Sequence, residues 1–186
     1  MATAELLLST VPQRVLALLA KAPDREFYGR QIAGILKTSP TAASEALKSL
    51  HEAGMLRRRM AGRTSLYSLD AGNPVAAGFK KLVPALLLEP LIQRLKSTSN
   101  RVILYGSSAR GEDTSSSDLD LFVVAGNRQR VMKLVQEYRF PPGFESLHIQ
   151  AVVRTPAELL TSSGDEDDAF LNEVEQGIVL WDKGAS

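Results

Sequence analysis

The chain contains no cysteine, which excludes disulfides, zinc–thiolate centres and thiol nucleophiles. Such a composition suits a reducing compartment, and a cytoplasmic protein is expected. A membrane-spanning run is missing too: the opening MATAELLLSTVPQRVLALLAKAPD is interrupted at Arg14 and has no basic region ahead of its apolar part, so it reads as neither a leader nor an anchor. No membrane partner is expected. The chain also lacks a net charge of any size, +1 over 186 residues. What is present, 44% hydrophobic and 23% charged residues, is enough for one large core or two modest ones.

The near-zero charge hides an asymmetry. Residues 1–73 carry 10 basic and 6 acidic side chains, residues 74–100 carry 4 and 1, and residues 101–186 carry 8 and 14. A basic front and an acidic back predict two domains with different partners.

In the front, Leu6, Leu7, Val11, Val15, Leu18 and Leu19 recur at helical spacing, predicting a helix over Glu5–Ala20 with a weak point at Pro12. A second helix follows over Gly29–Leu36. Thr38-Ser39-Pro40 is a helix start, with Ser39 as N-cap and Pro40 in the first turn. Ala43, Leu47 and Leu50 then form the buried stripe of a third helix, and His51 near its end reads as a capping or surface residue. Met55–Met60 and Thr64–Leu69 read as a hairpin across Ala61-Gly62-Arg63. The order helix, helix, turn, helix, basic hairpin, carried by QIAGILKTSPTAASEALKSLHEAGMLRRR within Gln31–Leu69, resembles the winged helix-turn-helix family. That resemblance implies binding to duplex DNA, with Thr41, Ser44, Glu45 and Lys48 facing the major groove. Arg57, Arg58, Arg59 and Arg63 would meet phosphates or the minor groove. Winged domains also dock proteins, and a basic wing could grip RNA.

Asp70-Ala71-Gly72-Asn73-Pro74 reads as a boundary, giving residues 1–72 to the winged domain. Residues 73–100 then form a linker whose leucine-rich part, Val75–Leu95, is expected as helical pieces broken at Pro84 and Pro90. Its leucines can cover a homodimer contact or pack on the chain's own following domain.

The richest chemistry lies in YGSSARGEDTSSSDLDLFVV, Tyr105–Val124. A short apolar run, Val102–Tyr105, reads as a buried strand. Gly106-Ser107-Ser108 then turn the chain and present backbone N–H groups suited to phosphate oxygens. Past a polar span, Asp118-Leu119-Asp120-Leu121 alternates as a strand does, with both carboxylates on one face and both leucines in the core. Two strand residues span roughly 6.5 Å, a reach that suits paired Mg²⁺ ions about 4 Å apart, as used for in-line phosphoryl transfer.

This Gly-Ser…Asp-x-Asp pattern resembles the polymerase-beta-like nucleotidyltransferase superfamily, and its minimal nucleotidyltransferase branch most closely, over about Arg101–Asp182. A mixed α/β fold is thus expected for residues 101–186, giving an α+β architecture with the winged front. The resemblance implies that Gly106, Ser107 and Ser108 hold a nucleoside triphosphate, with help from Arg110. Asp118 and Asp120 would be the catalytic residues that hold two Mg²⁺ ions. Transfer of a nucleoside monophosphate to an acceptor hydroxyl on a protein, small molecule or RNA end is implied, as is an antitoxin-like autoregulator with a protein partner.

The remaining elements are a helix over Arg128–Arg139, a strand over Glu145–Val153, a helix capped by Thr155, an acidic loop Asp165–Asp168, a helix over Phe170–Gln176 and a closing strand Ile178–Trp181. The family places a third carboxylate on the strand before the Thr-Pro helix start. Here that position matches Gln150, which cannot act as a base. Glu145 and His148 are the substitutes at hand. An inactive transferase-like domain that senses a nucleotide or mediates dimerisation is the alternative.

Overall fold

A computed structural model describes residues 3–161 and 165–185. The front opens with helices α1 (Thr3–Leu7) and α2 (Val11–Lys21) rather than one helix over Glu5–Ala20. Thr10 separates them by capping α2: its hydroxyl accepts from Gln13 N at 3.4 Å, and Gln13 Oε1 accepts from Thr10 N at 3.0 Å. Pro12 sits in the first turn of α2, where a missing N–H costs nothing, so it starts that helix instead of breaking one.

Helices α3 (Gly29–Ile35) and α4 (Pro40–Glu52) follow, the latter capped by Ser39, whose hydroxyl accepts from Ala42 N at 3.1 Å. The hairpin pairs β1 (Leu56–Ala61) with β2 (Thr64–Leu69) antiparallel, around Gly62 at φ +60°. Phe27 adds a bridge to Tyr67 on the far side of β2.

The linker is one helix, α5 (Pro74–Leu95), 22 residues long with Pro84 and Pro90 inside it. The expected breaks do not occur. Each proline removes one helical hydrogen bond, but burial of Val83, Leu86, Leu87, Leu88, Leu91, Ile92 and Leu95 holds the helix around them. Helix α5 packs against α1 and α2 on one side and against α6, α7 and β6, defined below, on the other. Leu86, Leu87, Leu88, Leu91 and Leu95 pack within the chain, while Leu82 is exposed.

The back half is a four-stranded sheet in the order β5-β4-β3-β6, from β3 (Arg101–Tyr105), β4 (Leu119–Val124), β5 (Ile149–Arg154) and β6 (Ile178–Asp182). β3 runs antiparallel to β4 and β6, and β4 runs parallel to β5. Four helices surround it: α6 (Gly106–Arg110), α7 (Arg128–Glu137), α8 (Pro156–Thr161) and α9 (Asp165–Glu175). The whole is a mixed α+β protein. Two expectations change here. β5 begins at Ile149 rather than Glu145 because residues 144–148 are taken up in turns. The expected acidic loop Asp165–Asp168 is the first turn of α9; Asp167 pairs with Arg154 at 3.1 Å.

Alternation along the strands divides the core. Val102, Leu104, Leu119, Leu121 and Val123 face α5 and join a cluster that continues through Val15, Leu19, Ile32 and Leu47 of the front half. Ile103, Tyr105, Phe122 and Val124 line the opposite face with Val174 of α9.

Candidate nucleotide site and basic hairpin surface

The candidate nucleotide site forms where β3 ends and β4 begins. Tyr105 lies opposite Asp120 in the β3–β4 register, so the Gly106 turn leaves β3 directly beside the second aspartate. Gly106 is buried at φ +71°, and a Cβ there would stand 2.5 Å from Asp120 Oδ2. Glycine is required twice over, for the left-handed backbone and for the room the carboxylate occupies.

Helix α6 is only one turn and ends at Gly111, φ +76°. Ser107 is half-buried. Ser108 is fully buried, and its hydroxyl donates to Asp118 O at 3.3 Å. That bond braces the two ends of the motif against each other and leaves the Ser108 side chain buried. Arg110 is exposed and held by two carboxylates, Glu112 at 2.8 Å and Glu173 at 3.0 Å.

Asp118 is exposed just ahead of β4, while Asp120 is half-buried within it. Desolvation first, then the charges of Asp118 and Glu173, push the Asp120 carboxyl above its ordinary range, against a smaller pull from Arg110. Burial, with Asp120 and Glu173 nearby, likewise raises the Tyr105 phenol. Glu173 is the residue that sequence reading misses. It reaches the site from α9, 63 residues beyond Arg110, and no local pattern marks it. Phe170, one turn earlier, fixes α9 over the site by edge contacts with Tyr105 and Phe122 at 5.6 and 5.8 Å between ring centres.

In the parallel β4–β5 pair Gln150 lies directly opposite Asp120, so the third-carboxylate position carries an exposed amide. The two substitutes make other side-chain contacts. Glu145 Oε2 accepts from Gly143 N at 2.8 Å within its own turn, and the resulting backbone hydrogen bonds hold its carboxyl below the usual range. His148 lines a cavity with Met132, Gln136, Arg139 and Glu145 beside α7. Among the described residues no three His, Asp or Glu side chains stand together as a complete metal cage.

On the front half, Thr41, Ser44, Glu45 and Lys48 are all exposed on α4. The arginines divide. Arg57 pairs with Asp70 at 2.9 Å, Arg59 with Glu26, and Arg58 donates to Ser65 Oγ at 3.0 Å. Arg63 has no polar partner among the described residues. It lines a groove of about 560 Å³ between α3, α4 and the hairpin, with Tyr28, Arg30, Ser44, Thr64 and Tyr67. Arg30 and Tyr28 were not singled out in the sequence; a lone arginine at the start of a short helix gives no signal until the hairpin closes opposite it. His51 Nδ1 lies 2.9 Å from Leu56 O, tying α4 to β1.

Among the described residues no helix is long and apolar enough to cross a membrane. No curated protein matches the chain in sequence. Three solved structures resemble parts of it. One is reduced HlyU from Vibrio cholerae, 21% identical, with 43% of this chain and 80% of that chain covered at a TM-score of 0.35. Another is the AntR antimony-specific transcriptional repressor, 21% identical, covering 47% and 76% at 0.36. The third, from Sulfolobus solfataricus and provisionally described as a nucleotidyltransferase, is 18% identical, covering 62% and 95% at 0.39. The family model described as Nucleotidyltransferase domain matches residues 87–171, from within α5 into α9, and so takes in the Gly106 turn, both aspartates and Gln150.

Proposed function

We propose that this chain binds duplex DNA through residues 1–72 and, at the Gly106–Asp120 site of residues 101–186, takes a nucleoside triphosphate with Mg²⁺ and transfers its nucleoside monophosphate to an acceptor hydroxyl. The observation that carries the reading is the packing of Asp120 Oδ2 against the space a Gly106 side chain would fill. It sets a phosphate-cradling turn and a carboxylate side by side. The donor set fits the metal: two carboxylates without a third suit Mg²⁺, which takes one or two plus substrate phosphate oxygens. Crowding of negative charge around Asp120 favours a cation at the same place. Asp118 and Asp120 would hold Mg²⁺, which supplies charge neutralisation for the triphosphate when bound.

In the transfer, the acceptor oxygen forms a bond to the α-phosphorus as its bond to the bridging oxygen breaks, and pyrophosphate leaves. The acceptor proton passes to water, since Gln150 cannot take it. Backbone N–H groups at Gly106 and Ser107 position the phosphates. Arg110 contributes once Glu173 releases it. The groove holding Arg30 and Arg63 suits a DNA phosphate, with Ser44 and Lys48 presented to the major groove. A DNA-binding half joined to a transferase half suits an antitoxin-like protein that regulates its own expression and modifies a protein partner.

The register of Gln150 opposite Asp120 favours a second reading, a regulator that senses the nucleotide without turnover. One experiment separates them: the pure protein is incubated with Mg²⁺, labelled nucleoside triphosphates and candidate protein and RNA acceptors, while its melting temperature is followed. Transfer that is lost in the Asp118→Ala, Asp120→Ala double variant supports the enzyme. Stabilisation by nucleotide without transfer supports the sensor, because a ligand of the folded state raises apparent stability. Transfer that survives the double variant, or neither effect in the unaltered chain, overturns the site.

A further inference from the structure

Between the Gly106 turn and Asp118 runs the segment Gly111–Ser117, and the winged half and α5 grip it at two points. At the first, Asp113 is 1% exposed and forms an ion pair with Lys21 of α2, itself 4% exposed. Lys80 of α5, 8% exposed, donates to Gly111 O at 2.8 Å and Asp113 O at 2.6 Å. Its Nζ stands 3.4 Å from Asp113 Oδ1, which has no hydrogen bond of its own. At the second point Asp24 accepts twice from Ser115, from N and Oγ, both at 2.7 Å.

The grip continues into the hairpin. Two residues after Asp24, Glu26 accepts from Arg59 Nε at 3.0 Å. Phe27 exchanges two backbone hydrogen bonds with Tyr67 of β2, each 2.8 Å. Asp24–Phe27 is therefore a strap only four residues long. One end holds the segment that leads into Asp118, and the other holds the hairpin and one of its arginines. A buried ion cluster tolerates little movement, because a shifted partner leaves a charge unpaired away from water. A chain of contacts thus leads from the segment before Asp118 through Ser115 and Asp24 to the contact that neutralises Arg59.

We propose that this strap couples the two ends of the molecule: a metal-bound nucleoside triphosphate at the Gly106–Asp120 site changes the affinity of the winged half for duplex DNA, and DNA changes nucleotide affinity by the same factor. The coupling rests on the function proposed above. Its strength is set by whether Arg59 is held by Glu26 or left free for phosphate.

The test is a titration of a fluorescent random-sequence duplex with the full chain, with and without a saturating mixture of the four nucleoside triphosphates and Mg²⁺. Asp24→Ala removes both hydrogen bonds to Ser115, Ser115→Ala removes the hydroxyl bond and keeps the one from the backbone N–H, and neither residue belongs to a proposed site. They also absorb the general effect of added salt and Mg²⁺ on DNA binding, which is the same for every variant. The expected result is a nucleotide-dependent change in DNA affinity of about fivefold or more in the unaltered chain, absent from the folded Asp24→Ala variant and smaller in Ser115→Ala, with each ligand alone still bound by all three chains. An equal change in all three, or none in the unaltered chain while both ligands bind, overturns the coupling and leaves the function standing. Failure of the unaltered chain to bind either DNA or nucleotide overturns the function, and the coupling with it.

Discussion

Asp24 and Ser115 stand 91 residues apart in the chain and 2.7 Å apart in space. The Ser115 hydroxyl, more than any other group, holds the Asp24 carboxyl below its ordinary range, against a modest opposing effect of burial. The folded state therefore prefers the ionised form more strongly than the unfolded state does. That preference stabilises the fold at pH above the unfolded carboxylate's range and is lost as pH falls through the lower, folded value. Ser115→Ala is accordingly expected to lower stability near neutral pH, with the difference from the unaltered chain closing in acid; urea unfolding at a series of pH values measures it. Asp120 acts in the opposite sense. Its carboxyl is raised, so the stability tied to it is present at low pH and falls as pH rises from the unfolded carboxylate's range through the higher, folded value.

At the scale of elements, α5 is the one that departs furthest from its local sequence signals. Pro84 is buried and Pro90 exposed, yet both are helical. Each leaves a carbonyl one turn earlier without its N–H partner and crowds it with the ring, a cost of about 3 kcal/mol in a helix interior. Pro90→Ala should regain part of that cost and raise the melting temperature. Pro84→Ala should gain less, since its buried ring fills space that alanine would leave empty. Comparing the two by thermal unfolding checks that burial, rather than propensity, holds this helix together. Other elements follow their local chemistry closely. Ser39, Thr155 and the Gly62 turn begin and end what their residue types predict, because a cap or a tight turn is decided within a few residues.

Over the whole molecule, the core cluster runs without interruption from Val15 and Leu47 through Leu88 of α5 to Leu104 and Leu121 in the sheet. Phe144, Leu147 and Gly143 from the back half close on α2 and α3; a Cβ at Gly143 would meet Leu36 at 2.9 Å. With apolar surface shared in this way, neither half can lose its packing without exposing the other's. A single cooperative transition is expected, with calorimetric and van 't Hoff enthalpies in agreement; two resolved transitions would show the halves to be independent.

The sequence by itself determined the order of helices and basic hairpin in the front half, the glycine turn, the alternation that puts Asp120 on the face opposite Leu119 and Leu121, and the amide at position 150. Those features depend on periods of two or 3.6 residues and on turn chemistry, all local. Only the tertiary structure decided that α5 runs unbroken, that Glu173 joins Arg110, that Arg30 and Arg63 share a groove, and that Lys21, Lys80 and Asp113 meet in the interior. Such pairings join residues tens of positions apart, and what selects them is burial of apolar surface across the whole chain, which leaves no mark in any short stretch of it.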